Sequence, residues 1–373
     1  MRILPEDECA RVYSGLGLSR AFRRGGSMAG CGAGAGFSSE RLDPRMIPGC
    51  QLFACTDTSA HPTAVVFPAD VVVNGAFAAD ASWTKGANWT IPTPYALHAA
   101  GSTETLSQAA ILVVGNTYAT RIVVSSATAG TVTVSAGTTA GTARGNGDFT
   151  ETLLCAGNTT LSITPTADFD GRVSLVKADP RNVSQLTDLT GLGHHLVQAT
   201  ASKQPLWVPI GSGGVLRGAR VADYMKSAFS LNQPATIVLF AKWYPEPGSV
   251  VFADGGSLNL ATLYKEAAGA TQIKAYAGAF LVGPNGVVDG TARMWTFRMN
   301  GASSSLNVNN GAPVVGNAGA ANPGGLTIMA DANGGTPCIA DYYGAALYNR
   351  ALSTAEEARL YRWNLRLRGR LAI

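Results

Sequence analysis

Residues 341–357 read DYYGAALYNRALSTAEE, and their reading decides the fold. The aromatic and small apolar residues up to Tyr348 form a final strand, which turns at Asn349-Arg350 and runs into a helix. Ser353 is the N-cap, because its hydroxyl can accept from the N–H three residues on. Glu356 stands at the reciprocal position and can bond back to the N–H of Ser353, completing a capping box. Beyond it, Arg359, Arg362, Arg366, Arg368 and Arg370 are interleaved with Leu360, Tyr361, Leu365 and Leu367. That spacing predicts an amphipathic terminal helix with its apolar side inward and its basic face in water. The other use of such a face is docking an acidic partner.

Upstream lie strands that such an ending can join. Thr236-Ile237-Val238-Leu239-Phe240-Ala241-Lys242-Trp243 reads as a fully buried strand. Val250-Val251-Phe252 followed by Asp254-Gly255-Gly256 reads as strand then turn. Met294 to Met299 precedes Leu306-Asn307-Val308-Asn309-Asn310-Gly311, a pair of strands joined in antiparallel fashion. The run from Leu186 through Asp188, Thr190, Gly191, Gly193, His194 and His195 precedes them all. Together these stretches resemble the laminin-G/concanavalin-like jelly rolls. Those chains open on Asp-x-Ser/Thr-Gly-x-Gly-x-His and close on the strand-to-capped-helix pattern. The resemblance covers 186–373 and implies a sandwich over 179–373, with the histidine in a structural loop.

Residues 67–178 are also strand-rich. Val71–Val73, Ile111–Val114, Tyr118–Val124, Thr131–Ser135, Leu153-Leu154 and Leu161–Ile163 are short apolar runs separated by Gly, Asn and Ser. Such runs at this spacing suggest an antiparallel sandwich. Val73-Asn74-Gly75-Ala76-Phe77, then Ser82-Trp83, then Asn88-Trp89-Thr90-Ile91, resembles the opening of a galactose-binding-like carbohydrate-binding module. The family often places an acidic residue after the Phe, near a structural calcium; here the position is Ala78, which leaves only backbone carbonyls as ligands. Between the two units, Pro180 and the polar run to Gln185 read as a linker too short for free tumbling.

The first 66 residues differ from the rest. A short helix is expected near Pro5–Tyr13, followed by a Gly/Ala/Ser stretch from Gly25 to Gly36 and by Pro44, Pro48 and Pro62. No periodic apolar face appears, so the segment reads as an arm that does not fold alone. Particle-docking residues are expected somewhere within Met1 to Val66, and deleting 1–66 is expected to leave both sandwiches folded. Four of the six cysteines, Cys9, Cys31, Cys50 and Cys55, fall in this arm. Free thiols, a disulfide or a metal site all remain open, but the second close pair that zinc wants is missing. Glu6, Asp7 and Glu8 stand where the apolar core of a secretory signal would begin. No run reaches the ~20 apolar residues of a membrane span. With 28 basic and 24 acidic residues the net charge is +4, which by itself argues neither for nor against nucleic acid; no nucleic-acid partner is expected.

No catalytic residue is assigned. A glycosidase needs two carboxylates flanking the bond. Asp254, Glu266 and Asp289 lie in the second unit with no recognisable pairing, and G-x-S-x-G, P-loop and H-E-x-x-H are missing. Sugar binding is expected instead, by flat aromatics that take C–H faces. Trp89, Tyr95 and Trp83 are the glycan-binding candidates, with Trp207, Tyr224, Trp243 and Tyr244 as the second unit's aromatics. Asp254 and Asn333 are the calcium candidates.

The fold expected is all-β: two tandem antiparallel β-sandwiches of jelly-roll type, an irregular N-terminal arm (1–66) and a short C-terminal helix. The combination resembles phage structural proteins. It implies a non-enzymatic virion protein, a head fibre, decoration or tail-associated adhesin, that binds host surface polysaccharide. Its partners would be other virion proteins and copies of itself, as a trimer. A glycan-degrading enzyme and a bacterial surface adhesin are the alternatives.

Overall fold

A computed structural model of the chain describes residues 43–218, 222–247, 250–258, 260–266 and 271–373. The expected helix near Pro5–Tyr13, the glycine stretch, Cys9 and Cys31 lie outside the described residues. The rest is built from antiparallel sheets and one α-helix, Thr354–Leu371, in two β-sandwiches.

The first sandwich faces two five-stranded sheets. One runs in the order Gly147–Leu154, Thr117–Ala129, Asp170–Pro180, Ala96–His98, Trp89–Thr90. The other runs Thr84–Lys85, Leu106–Gln108, Leu161–Pro165, Val132–Ala136, Thr139–Ala140. The strict alternation of Val132–Ala136 turns Val132, Val134 and Ala136 inward, onto Tyr118, Ile122, Val124 and Phe169. Two expected strands are absent: 71–73 and 111–114 are irregular and lead into turns, with Val71 N–H still donating to Ala178 O.

The second sandwich is larger. Its eight-stranded sheet centres on Ala340–Tyr348, flanked by Ala235–Trp243 on one side and, on the other, by Gly213–Gly218 and Cys50–Cys55 end to end. A nine-stranded sheet faces it. All nine residues of Ala340–Tyr348 are buried, as are all but Lys242 of Ala235–Trp243. A half-exposed antiparallel strand alternates, so a continuous buried run needs cover on both faces. The second sheet supplies one cover, against Ile237, Leu239, Trp243, Ala345 and Leu347. The C-terminal helix supplies the other: Leu360, Trp363, Leu367 and Leu371 lie on Val238, Phe240, Tyr343 and Tyr348.

The capping box read from sequence is present. Glu356 N–H donates to Ser353 Oγ at 3.4 Å, and Ser353 N–H donates to a Glu356 carboxylate oxygen at 2.9 Å. The Arg350 guanidinium grips the same carboxylate and, with Ser353, pulls Glu356 down to about 2. Glu356 titrates at 4.5 when unperturbed, so its contribution is fully present above that pH and is lost as pH falls toward about 2. Because the pair lies at the surface, partly exposed and screened by water, the expected size is ~1 kcal/mol or less. Glu356→Gln keeps the cap but loses the charge pair. In urea titrations it should be slightly less stable than the parent at pH 7, with the difference shrinking steadily below pH ~4. A gap that stays constant down to pH ~2.5 would refute the ion pair.

The segment before residue 67 is where structure and expectation differ. Cys50–Cys55 pairs with residues 344–348, and Val65–Val66 pairs with Gln185–Leu186. Leu52 and Ala54 enter the core between the sheets, and Phe53 and Cys55 the layer under the helix. Residues 43–66 therefore belong to the second sandwich, and the first is inserted between two parts of it. The strand is stapled by the Asp188 carboxylate, which accepts from the backbone N–H groups of Phe53, Thr190 and His194. His194 stacks on Phe229 at 3.7 Å and meets Gln51 O at 2.7 Å through Nδ1, and His195 Nδ1 accepts from Asp188 N–H. Both histidines are thus committed to this loop. Cys50, Cys55, Cys155 and Cys338 are free thiols; burial pushes Cys50 and Cys55 up to about 12, so both are protonated at neutral pH.

The linker is a contact as well as a connection. The buried Asn182 side chain accepts from Thr117 N–H at 3.0 Å in the first sandwich and donates to Gln204 O at 2.8 Å in the second. Among the described residues no helix is long and apolar enough to cross a membrane.

Candidate ligand-binding groove

The nine-stranded sheet ends in Val250–Asp254, Thr262–Lys265, Lys274–Tyr276 and Phe280–Val282. Alternation sends Leu263, Ala275 and Leu281 into the core. Their neighbours stand on the outer face. Antiparallel register places Thr262 opposite Tyr276 and Tyr276 opposite Phe280, while Tyr264 lies opposite Lys274 and Lys274 opposite Val282. The result is a groove of about 500 Å³ lined by Val251, Thr262, Tyr264, Glu266, Tyr276 and Phe280.

Three aromatic rings form its floor and wall. Phe280 lies 4.9 Å from Tyr276 and 6.2 Å from Tyr264 between ring centroids. Phe280 is 63% exposed, an unusual place for a phenyl ring whose burial would be worth ~2 kcal/mol. Beside the rings, Lys274 Nζ donates to Glu266 at 2.5 Å and Tyr264 Oη donates to the other carboxylate oxygen at 3.3 Å. The Lys274 hydrogen bond holds the Glu266 carboxyl below its usual range, so it is ionised. Partial burial, then the Glu266 charge, push the Tyr264 phenol up, so it remains a donor. Flat rings beside a carboxylate acceptor, an ammonium donor and a hydroxyl suit a sugar, which has C–H faces and a rim of hydroxyls. Glu266 is the only carboxylate among the described residues lining the groove, so a second carboxylate for hydrolysis is not at hand there.

The aromatics expected to bind glycan lie elsewhere. Trp83 and Trp89 are 8% and 4% exposed, in the core of the first sandwich. Trp83 Nε1–H donates to Asn74 O and packs on Phe77; Trp89 Nε1–H donates to Glu104 O and packs on His98. Their spacing is that of core residues, and only an edge of Trp83 reaches a shallow depression. Tyr95 is half-buried on the outer face of the first sandwich, with the Arg172 guanidinium 4.4 Å over its ring. Trp207 and Trp243 are core as well, and Tyr244 Oη donates to Asp341.

The calcium candidates are not brought together as ligands. Asp254 is fully buried, and one of its oxygens accepts from the backbone N–H groups of Gly255 and Leu260 and from the Thr262 hydroxyl. Its other oxygen accepts from Ala332 N–H. A cation would have to sit against those donor hydrogens, so Asp254 fits a loop anchor and not a metal ligand. Asn333 is exposed in a turn in which its N–H donates to Asp331. Asp289 pairs with Arg293 at 2.6 Å. No group of three or more acidic, His or Cys side chains is poised for a metal among the described residues.

The groove residues Tyr264, Tyr276 and Phe280 carry no sequence motif. The one available signal is the alternation of aromatics with small or apolar residues over 262–266 and 274–282, which only the register turns into a single surface.

No family model matches the chain, and no curated protein matches it. Among solved structures it is similar to Trypanosoma rangeli sialidase in complex with the inhibitor DANA, at 15% identity and a TM-score of 0.37. That match covers 48% of this chain and 30% of the sialidase. The same sialidase in complex with sialic acid matches at 18% identity and a TM-score of 0.36, over 48% of this chain and 31% of that one. An HCR/D mutant matches at 10% identity and a TM-score of 0.37, over 48% of each chain. The chain thus spans under half the length of these neighbours.

Proposed function

We propose that this chain is a non-enzymatic, glycan-binding structural protein on the surface of a virion, a head fibre, decoration or tail-associated adhesin of a tailed phage or phage-like particle. One observation carries the glycan reading: three aromatic rings converge beside the Lys274–Glu266–Tyr264 hydrogen-bonded set in an open groove. Support for the virion reading comes from the sequence, where two sandwiches resembling glycan-binding types accompany a segment, residues 1–42, that reads unlike either. Symmetric assembly of several copies would multiply a weak single-site affinity.

Two measurements test this. Phe280→Ala should weaken binding to the host surface polysaccharide about tenfold, ~1.4 kcal/mol, without changing the fold. Unchanged affinity would remove the groove from recognition. Quantitative mass spectrometry of purified particles, against the major capsid protein, addresses location. Hundreds of copies place the protein on the head, a handful at the tail, and none defeats the virion reading.

A hydrolase is the second reading, favoured by the Tyr264 Oη–Glu266 contact of 3.3 Å, since a tyrosine can replace a carboxylate nucleophile in glycoside hydrolysis. Release of reducing sugar that is lost in both Tyr264→Phe and Glu266→Gln would establish it.

A further inference from the structure

We propose that the C-terminal helix carries a second binding strip, lined by guanidinium groups, for a carboxylated polysaccharide. The helix covers the outer face of the eight-stranded sheet, whereas the aromatic groove lies on the nine-stranded sheet. The two sites are therefore separate, and the strip does not depend on the groove.

Arg359, Arg362, Arg366 and Arg370 follow one another at spacings of three, four and four residues. At ~1.5 Å rise per residue they form one stripe about 16 Å long on one flank of the helix. Arg370 is paired with Asp57 at 2.5 Å. Arg359, Arg362 and Arg366 make no ion pair among the described residues, and Arg362 and Arg366 are exposed. The helix's own acids cannot neutralise them: Glu356 is taken by Arg350, and Glu357 by Arg298 and Asn307. Like charges four residues apart destabilise a helix. The favourable pull of the helix C-terminus on cations acts only within the last turn, on Arg368 and Arg370. The exposed Arg362 and Arg366 therefore gain no ion pair within the fold among the described residues.

Every cation of the helix is an arginine. The guanidinium fork matches a planar carboxylate through two parallel hydrogen bonds, which an ammonium cannot do. Nucleic acid fits less well. Leu360, Trp363, Leu367 and Leu371 seal the inner half of the helix against the sheet, so only its outer half is open to a ligand. Single strands are gripped by stacked aromatics, and here Trp363 is buried and Tyr361 half-buried on the far flank. In the aromatic groove Glu266 is neutralised by Lys274, so the groove offers an acidic sugar no net positive charge, whereas the strip does.

The test measures binding of the full chain to polygalacturonate, to neutral dextran and to single-stranded DNA of matched charge. Polygalacturonate should bind best, dextran should not bind at the strip, and Arg362→Gln/Arg366→Gln should weaken polygalacturonate binding about tenfold. Arg362→Lys/Arg366→Lys should restore only part of it, and Phe280→Ala should leave it intact. Both pairs are exposed, and equal melting temperatures would exclude misfolding. The proposal is overturned if the parent does not bind polygalacturonate, if the Gln pair binds as well as the parent, or if DNA binds as tightly as the polyuronate.

Discussion

Deleting residues 43–66 is expected to prevent the second sandwich from folding. The deletion strips the partner from residues 344–348 in the middle of the eight-stranded sheet. It also removes Leu52, Phe53 and Ala54, each at most 1% exposed, from the layers on both faces. A buried Leu or Phe lost to truncation costs ~3–5 kcal/mol, and a whole domain is stable by only ~5–15 kcal/mol. Asp188 would lose the Phe53 N–H, and His194 would lose the Gln51 carbonyl. Circular dichroism and limited proteolysis should show an aggregating or protease-sensitive product, whereas a chain starting at residue 43 keeps every described contact of that strand. A soluble, cooperatively melting product lacking residues 43–66 would show that Cys50–Cys55 is dispensable. This reverses the expectation that 1–66 can be removed whole. Tests of a docking role belong to residues before 43.

Trp363→Ala should be the most damaging single substitution in the terminal helix. Its ring is T-shaped against Phe53 at 5.3 Å and tilted on Phe240 at 4.9 Å, at the centre of the layer between helix and sheet. Loss of the indole should cost ~3–5 kcal/mol in urea unfolding. Leu365→Ala, 46% exposed on the opposite side, is the control and should shift stability by ~0.5 kcal/mol or less. Equal effects at the two positions would mean that the helix is not docked as described.

The physics of what could be read from the chain is local. Strand, turn and capping box over 341–357 depend on neighbours within a few residues, and all three are present. The run at 236–243, apolar but for Thr236 and Lys242, also reports its burial, because a strand with no polar alternation must be covered twice. Cys50–Cys55 sends no such signal. It is six residues long, set between Pro48 and the turn at 57–60, and its pairing partner lies nearly three hundred residues away. Trp83 and Trp89 were indistinguishable from binding aromatics, since an indole in a string of letters does not say which sheet will close over it.

By itself, then, the sequence determined the all-β class, the two sandwiches and the capped closing helix, because periodicity and capping act between residues that are already close along the chain. Tertiary structure alone decided that residues 43–66 complete the second sandwich and that Tyr264, Tyr276 and Phe280 share one groove. Both depend on antiparallel register, which brings together side chains from separate strands and fixes which face each one meets.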